Sequence, residues 1–267
     1  MGQPAVTGFI PAPASKAVQP FLKMPPLSER TINLDAGNAL RRRAALVAHF
    51  EAFADIPAAD CIAIVASAHE RHFPRRHTLF FEGDPARQVV LLTSGFAKIT
   101  QLGSSGQEVI LRLHGPGDVL GGLGRWANCD HCSSARTVQP ATALIWETAQ
   151  FETICDRFPL LRRNIGHVIE RRLNELDVRF REISTEKVSP RLSSQLVRLM
   201  KQVGRTVEDG HVEIALSRRE LAQLTGTTLF TVSRLLCRWE TQGIVITRRE
   251  AVLVRDVPAL MQISRSE

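Results

Sequence analysis

The 267-residue sequence lacks a long uninterrupted apolar run. Its most apolar stretch, residues 44–68, is broken by five polar, charged or proline residues: His49, Glu51, Asp55, Pro57 and Asp60. A membrane-spanning helix needs roughly 20 consecutive apolar residues. The N-terminus also has no compact apolar segment behind basic residues. We therefore expect neither an export signal nor a contact with a membrane.

Cysteine is scarce, with five residues in the whole chain. Five cysteines in a chain of this length do not form a disulfide framework, and this points to a reducing cytoplasm. The common enzyme motifs are also missing. Gly121-Gly122-Leu123-Gly124 is not followed by the Lys-Ser/Thr of a phosphate-binding loop, and His69-Glu70-Arg71-His72 lacks the spacing of a zinc protease. We interpret the latter as a solvated helix end and expect no enzymatic activity.

The sequence does contain an excess of basic residues, with a net charge of +7, and this excess is unevenly distributed. Residues 56–155 carry 8 basic against 9 acidic side chains, whereas residues 188–267 carry 12 against 8. A basic segment is suited to a polyanionic partner. Any such partner is expected at the C-terminal end of the chain.

The pattern along the chain predicts an α+β protein in four parts. Residues 1–38 are rich in proline and predict a flexible tail. Residues 39–155 predict two short helices, Leu40–Phe53 and Ala58–His72, followed by short strands separated by glycine turns, typical of an antiparallel β-roll. Residues 156–187 predict one long helix without an internal proline. Residues 188–267 form the fourth part.

The long helix carries an apolar seam with alternating spacings of four and three residues: Ile169, Leu173, Leu176, Phe180 and Ile183. A seam of this kind favours pairing with a second copy of the same helix. The alternative is that the stripe covers the sheet domain of its own chain.

The fourth part contains two short helices joined by a glycine. Ser217-Arg218-Arg219-Glu220 predicts a capping box, Gly226 permits a sharp turn, and Thr227 or Thr228 can cap a second helix. That helix has an apolar side and a basic, hydroxyl-rich side, as a helix-turn-helix requires. Beyond Gly243 the sequence predicts a hairpin whose tip, Arg248-Arg249, is placed to contact phosphates.

The sequence of residues 216–242 resembles the winged helix-turn-helix of the Crp/Fnr family of bacterial transcription regulators. The resemblance extends to the long helix and to the Phe81-Glu82-Gly83-Asp84, Gly95 and Gly117-Asp118 turns, so that it covers roughly residues 60 to 260. It implies a β-roll sensor domain, a homodimer, a near-palindromic double-stranded DNA operator and contact with RNA polymerase.

The resemblance also identifies residues expected to contact DNA. Arg234 matches an arginine that binds guanine, Ser233 matches a second base-facing position, and Ser217 and Arg219 match phosphate-contacting positions. Phe230 replaces a common glutamate and Leu229 replaces a polar residue, so we expect a different operator, with thymine methyl groups contacted by Phe230. The full expected set is Ser217, Arg219, Thr228, Leu229, Phe230, Ser233, Arg234, Arg238 and Arg248.

The effector pocket implied by the resemblance consists of Gly121, Gly122, Leu123, Ser133, Ser134 and Arg136. Members that bind cAMP have a glutamate where this chain has Gly122, and an arginine where it has Cys132 or Ser133. Neither replacement can bind the ribose and the cyclic phosphate, so the sequence argues against cAMP. Arg136 is the one remaining candidate for a phosphate contact.

Cys129 and Cys132 form a CxxC pair with a histidine between them, which lets both sulfurs reach one metal or form a reducible disulfide. The alternative is two inert thiols. A closed site needs four ligands, and Cys61, Cys155 and His114 are scattered. The cofactor therefore stays open among haem, iron–sulfur, zinc and none.

These observations predict a cytoplasmic, dimeric, DNA-binding transcription regulator controlled by a signal in the β-roll. The alternative function is a ligand-binding or redox- or metal-responsive regulatory subunit that acts on a protein partner. The capping box, the glycine turn and the basic helix favour the DNA-binding function, because a regulatory subunit does not need them.

Overall fold

The computed structural model describes residues 27–121, 130–207 and 209–265, with side chains from residue 37 onward. The chain divides into two units, with the boundary between Asn38 and Ala39. Helix α1 spans Leu27–Val47 and therefore begins inside the segment predicted as a tail. No helix in the described ranges is long and apolar enough to cross a membrane.

The second predicted helix is shorter than expected. A 3-10 turn at Glu51–Phe53 is followed by helix α2, Ala58–Val65. The prediction that this helix continues to His72 is wrong, because His69–Phe73 form strand β1, which pairs antiparallel with strand β8, Ala141–Glu147. The histidines of this segment thus lie on a sheet edge.

Two four-stranded antiparallel sheets form the β-roll, in the orders β1-β8-β3-β6 and β2-β7-β4-β5. The remaining strands are β2 Thr78–Phe80, β3 Gln88–Ser94, β4 Ala97–Leu102, β5 Glu108–His114, β6 Val119–Gly121, β7 Ser134–Thr137 and β8 Ala141–Glu147. The predicted β-roll is confirmed.

Strand β3 shows how the roll divides its apolar side chains. Val90 and Leu92 point between the two sheets, whereas Val89 and Leu91 pack with Trp146 against the helices. This alternation follows from the two-residue period of a strand. We call the cluster of Val89, Leu91 and Trp146 with the helices the outer core. Helix α3, Thr148–Arg157, completes it and was not predicted from the sequence.

Helix α4, Pro159–Thr185, is the predicted long helix, with Pro159 in its first turn. Proline is tolerated there because the N–H it lacks would have no partner inside the helix. Leu161 and Ile165 are buried in the outer core. The first turns of α4 are therefore fixed to the sensor domain.

The described residues of the C-terminal part form four helices and a four-stranded sheet of order β11-β12-β10-β9. The elements are α5 Val188–Gln202, β9 Arg205–Thr206, β10 Val212–Ile214, α6 Arg218–Thr225, α7 Leu229–Thr241, β11 Val245–Thr247, β12 Val252–Val254 and α8 Val257–Ser264. Ile110 and Leu113 of β5 pack into the core of this part. Its helices consequently contact the sensor sheet directly.

Candidate nucleic-acid interface and effector site

Helix α6 begins with the predicted capping box. The Glu220 backbone N–H donates to Ser217 Oγ over 3.2 Å, and the Ser217 N–H donates to the Glu220 carboxylate over 2.8 Å. The helix ends at Gly226, whose φ of 59° lies in the left-handed region that glycine adopts without strain. The capping box and the glycine turn are both confirmed.

Thr228 precedes helix α7, and its hydroxyl oxygen accepts a hydrogen bond from the Thr231 N–H over 3.1 Å. Thr228 is therefore the cap, not Thr227. The buried side of α7 is the predicted one: Val232, Leu235, Leu236 and Trp239. This packing fixes which side of the helix faces solvent.

The solvent-facing side of α7 carries most of the residues predicted to contact DNA. Thr228, Leu229, Arg234 and Arg238 are exposed, Ser233 is half-buried, and Phe230 is 76% exposed. An aromatic ring left this open to water has a free face for a partner.

The guanidinium groups on this surface are not neutralised. Arg219, Arg234 and Arg238 are exposed, and none forms an ion pair with the described residues. Exposed arginines without carboxylate partners attract phosphate oxygens and can bind guanine through two hydrogen bonds. The geometry suits the wide groove of a DNA duplex.

The predicted hairpin is present as β11 and β12, and α7 holds it in place. The Glu240 carboxylate accepts from the Thr247 N–H over 2.7 Å and from its hydroxyl over 2.8 Å. Arg218 is half-buried and donates to the same hydroxyl over 2.9 Å, so it braces the hairpin. Arg248 is exposed and lies 3.3 Å from Glu213.

The hairpin tip also contacts the sensor domain. Glu250 forms ion pairs with Arg75, over 2.6 Å, and with Arg76, and these hold the pKa of Glu250 below its usual value through hydrogen bonding and charge. This link joins the β1–β2 loop to the hairpin. Sequence reasoning missed it because the partners lie far apart in the chain.

The apolar seam of α4 is exposed in the single chain. The exposed fractions are 43% for Ile169, 58% for Leu173, 42% for Leu176, 71% for Phe180 and 45% for Ile183. The sensor sheet of the same chain therefore leaves much of the seam uncovered.

The predicted effector pocket is described only in part, because Gly122 and Leu123 lie outside the described residues. Gly121 has a φ of 93° and closes β6. Ser133 is buried, and the Ser134 hydroxyl accepts from the Glu82 N–H over 2.9 Å. Gly121 ends a strand of one sheet of the roll, whereas Ser134 begins a strand of the other sheet.

Arg136 does not point into the roll. Its neighbours Ala135 and Thr137 are buried, whereas Arg136 is exposed and its Nε donates to the Arg76 carbonyl over 2.8 Å. Alternating residues of a strand face opposite sides, so Arg136 lies on the outer face of its sheet. The phosphate contact considered for it inside the roll is not available in this arrangement.

Only one of the paired cysteines can be placed. Cys132 is exposed and its carbonyl accepts from the Gln101 side chain over 2.6 Å, while Cys129 lies outside the described residues. Cys61 and Cys155 are buried, and burial raises the pKa of the Cys155 thiol to about 11. Within the described ranges, no three metal-ligating side chains form a cluster.

A further polar group links the sensor to α4. Arg172 donates to Asp118 Oδ1 over 2.8 Å and to the Val119 carbonyl over 2.9 Å, and His114 lies 3.3 Å from the same carboxylate. Burial alone would raise the pKa of Asp118, but the contacts with His114 and Arg172 offset it and hold that pKa well below its usual value. Asp118 had been noted only as part of a glycine turn.

The comparisons with known proteins agree with this architecture. Residues 70–158 match the family model of the cyclic nucleotide-binding domain, and residues 190–263 match that of the Crp-like helix-turn-helix domain. Two solved structures share the fold: the c-di-GMP responsive global regulator CLP of Xanthomonas campestris, with a TM-score of 0.67, and FixK2 of Bradyrhizobium japonicum, with 0.64. Each is 22% identical; the alignments cover 74% and 75% of this chain, and 99% and 98% of theirs.

Curated relatives are more similar in sequence. The CRP-like cAMP-activated global transcriptional regulator of Mycobacterium tuberculosis is 30% identical over 196 residues, which are 72% of this chain and 87% of the relative. The cyclic AMP receptor protein of Thermus thermophilus is 29% identical, over 73% of this chain and 87% of its own. The chain belongs to the Crp/Fnr family of transcription regulators.

Proposed function

We propose that this chain acts as a homodimer that binds a near-palindromic DNA operator and regulates transcription in response to a signal received by the β-roll. The observation that carries the proposal is the outer side of α7. A capped helix, packed through its apolar side, presents unpaired Arg234 and Arg238 to solvent. Such a helix can enter the major groove while α6 braces it.

The contacts with DNA divide into two classes. Arg234 and Ser233 read base edges, and the exposed ring of Phe230 and the Leu229 side chain lie on thymine methyl groups. Ser217, Arg219, Thr228, Arg238 and Arg248 contact the phosphates. Phosphate contacts set position, whereas the base contacts set the operator sequence.

The two copies of the chain pack against each other along the exposed seam of α4. Five apolar side chains on one stripe, each more than two fifths exposed, lose contact with water when a second copy of the helix packs along them. A two-fold dimer matches a palindromic operator, because each half-site meets one copy of α7.

The signal proposed for the roll is one other than cAMP. The positions that match the ribose- and phosphate-binding residues of cAMP-binding members hold Gly122 and Cys132 or Ser133. Exposed Cys132, with Cys129, is the candidate redox or metal pair. We place the protein in the cytoplasm, where it meets DNA and RNA polymerase.

Selection of bound duplexes from a random DNA library tests this function. We expect enrichment of an inverted repeat whose half-sites are centred about 10 base pairs apart or a multiple of that distance. A chain lacking residues 188–267 serves as the control and should enrich no sequence. Recovery of unrelated duplexes by the full chain would refute sequence-specific binding.

A further inference from the structure

A cavity of about 560 Å³ lies where β5, α4 and α5 meet. Its walls are Arg112–His114 of β5, one side of α4 between residues 171 and 179, and one side of α5 between residues 195 and 202. None of the described residues of the predicted effector pocket lines it. Small-molecule sites commonly have volumes of about 300–1,000 Å³. The cavity is therefore large enough for a small ligand and is separate from the interior of the roll.

Part of the cavity wall lies away from the apolar seam of α4. Arg171, Asn174 and Val178 line the cavity. With 3.6 residues per turn, these positions lie on the side of the helix opposite to Leu173 and Phe180 of the apolar seam. A partner packed along the seam therefore leaves this side of the cavity open.

The walls carry more positive than negative charge. Arg172 is paired with Asp118, and Arg198 with Glu182 over 2.6 Å. By contrast, three further lining cations form no ion pair with the described residues: Arg112, Arg179 and Lys201.

One of these cations also lacks a hydrogen-bond partner. The Nε of Arg112 is buried and makes no hydrogen bond with any described residue. Arg179 donates to the backbone carbonyls of Ile110, Leu111 and Leu224 and, among the described residues, to no carboxylate. A half-buried guanidinium without an anion is unfavourable, and a carboxylate or phosphate accepts strong hydrogen bonds from its free donors.

The electrostatics of the cluster agree with this geometry. Burial and the neighbouring charge of Arg172 lower the pKa of Arg112, and burial and the charge of Arg198 lower that of Arg179 to about 10. The cations therefore repel one another, and the nearby carboxylates of Asp118, Glu175 and Glu182 offset this only in part. A bound anion would relieve the repulsion and accept the missing hydrogen bond of Arg112.

We propose that this cavity binds a small organic anion with phosphate or carboxylate groups, held by Arg112, Arg179 and Lys201. Because β5 belongs to the sensor domain and α5 to the C-terminal part, a bound anion bridges the two and favours the arrangement described above. A resulting change in DNA affinity rests on the proposed function, whereas binding of the anion does not.

Thermal unfolding and calorimetric titration of the full chain test the site, with pyrophosphate and citrate as probes and sodium chloride at equal ionic strength as reference. At tenfold excess over its Kd, a bound anion should raise Tm by about 3 °C. Arg112→Met and Lys201→Met should each weaken binding at least tenfold. Arg181→Met, which removes an exposed arginine outside the cavity, should bind like the wild type.

The unliganded variants give a second readout. If Arg112 serves to bind the anion and does not stabilise the fold, Arg112→Met should have an equal or higher Tm without anion. The reason is that the substitution removes a charge that lacks a hydrogen-bond partner and is repelled by its neighbours. Loss of stability in unliganded Arg112→Met would show a structural role and overturn the proposal. The proposal would also be overturned if neither probe raised Tm above its value in sodium chloride of equal ionic strength. Equal affinity of Arg112→Met and Arg181→Met for the anion would overturn it as well.

Discussion

Phe180→Ala should weaken the homodimer about 1,000-fold without unfolding the chain. Phe180 is 71% exposed in the single chain. Full burial of a phenylalanine side chain contributes up to about 3 kcal/mol, so covering the exposed part contributes up to about 2 kcal/mol per copy. A two-fold dimer loses this twice, about 4 kcal/mol in all, which corresponds to about three orders of magnitude in Kd.

Sedimentation equilibrium over a concentration series measures this Kd directly. Leu102→Ala is the matched control, because Leu102 is 67% exposed but lies at the end of β4, away from the seam. The control should dimerise like the wild type. An unchanged Kd for Phe180→Ala, or equal weakening by Leu102→Ala, would refute pairing along the seam.

Two other predictions concern the sensor domain. Asp118→Asn should lower the free energy of unfolding at pH 7 by about 2 kcal/mol, because it leaves the charge of Arg172 uncompensated. Since the folded-state pKa of Asp118 is depressed, its contribution is present above the unfolded pKa of about 4 and is lost as the pH falls below it. Urea unfolding should therefore show a difference between variant and wild type that shrinks below that pH; a constant difference would contradict the ion pair. The second prediction concerns the CxxC pair. If the pair senses redox state or a metal, the double variant Cys129→Ser/Cys132→Ser should abolish any response of DNA binding to oxidant or zinc in a gel shift. An unchanged response would show that the thiols are inert.

The sequence predicted elements whose signals are local. The capping box of Ser217 and Glu220 and the left-handed turn at Gly226 depend on neighbouring residues, so they could be recognised without tertiary information. Helix α4 was predicted from its apolar period and from the lack of an internal proline. Local chemistry therefore sufficed to predict the two helices that carry most of the proposed DNA contacts.

Other elements depend on distant partners and could not be predicted. His69–Phe73 forms a strand because β8 pairs with it; four of its five residues are exposed, so no alternation marks it as one. The ion pairs of Glu250 with Arg75 and Arg76 join residues more than 170 positions apart. The cavity likewise draws its walls from β5, α4 and α5.

The apolar positions of α4 illustrate the same limit. Leu161, Ile165 and Phe180 all follow one apolar pattern, yet Leu161 and Ile165 are buried in the outer core and Phe180 is exposed. The periodicity predicted the apolar face of the helix. Only the tertiary structure shows which part of this face the sensor domain buries.

The most direct test of the central claim is the affinity of the wild type and of Arg234→Ala for the selected inverted-repeat duplex, measured by gel shift at fixed salt. A bidentate contact with guanine provides about 1–3 kcal/mol per half-site, so loss of both contacts should weaken binding at least about 30-fold. Arg181→Ala, outside the α7 surface, should bind normally, and all three proteins should dimerise equally. Equal affinity of Arg234→Ala and the wild type for the duplex would contradict the assignment of α7 as the helix that reads DNA.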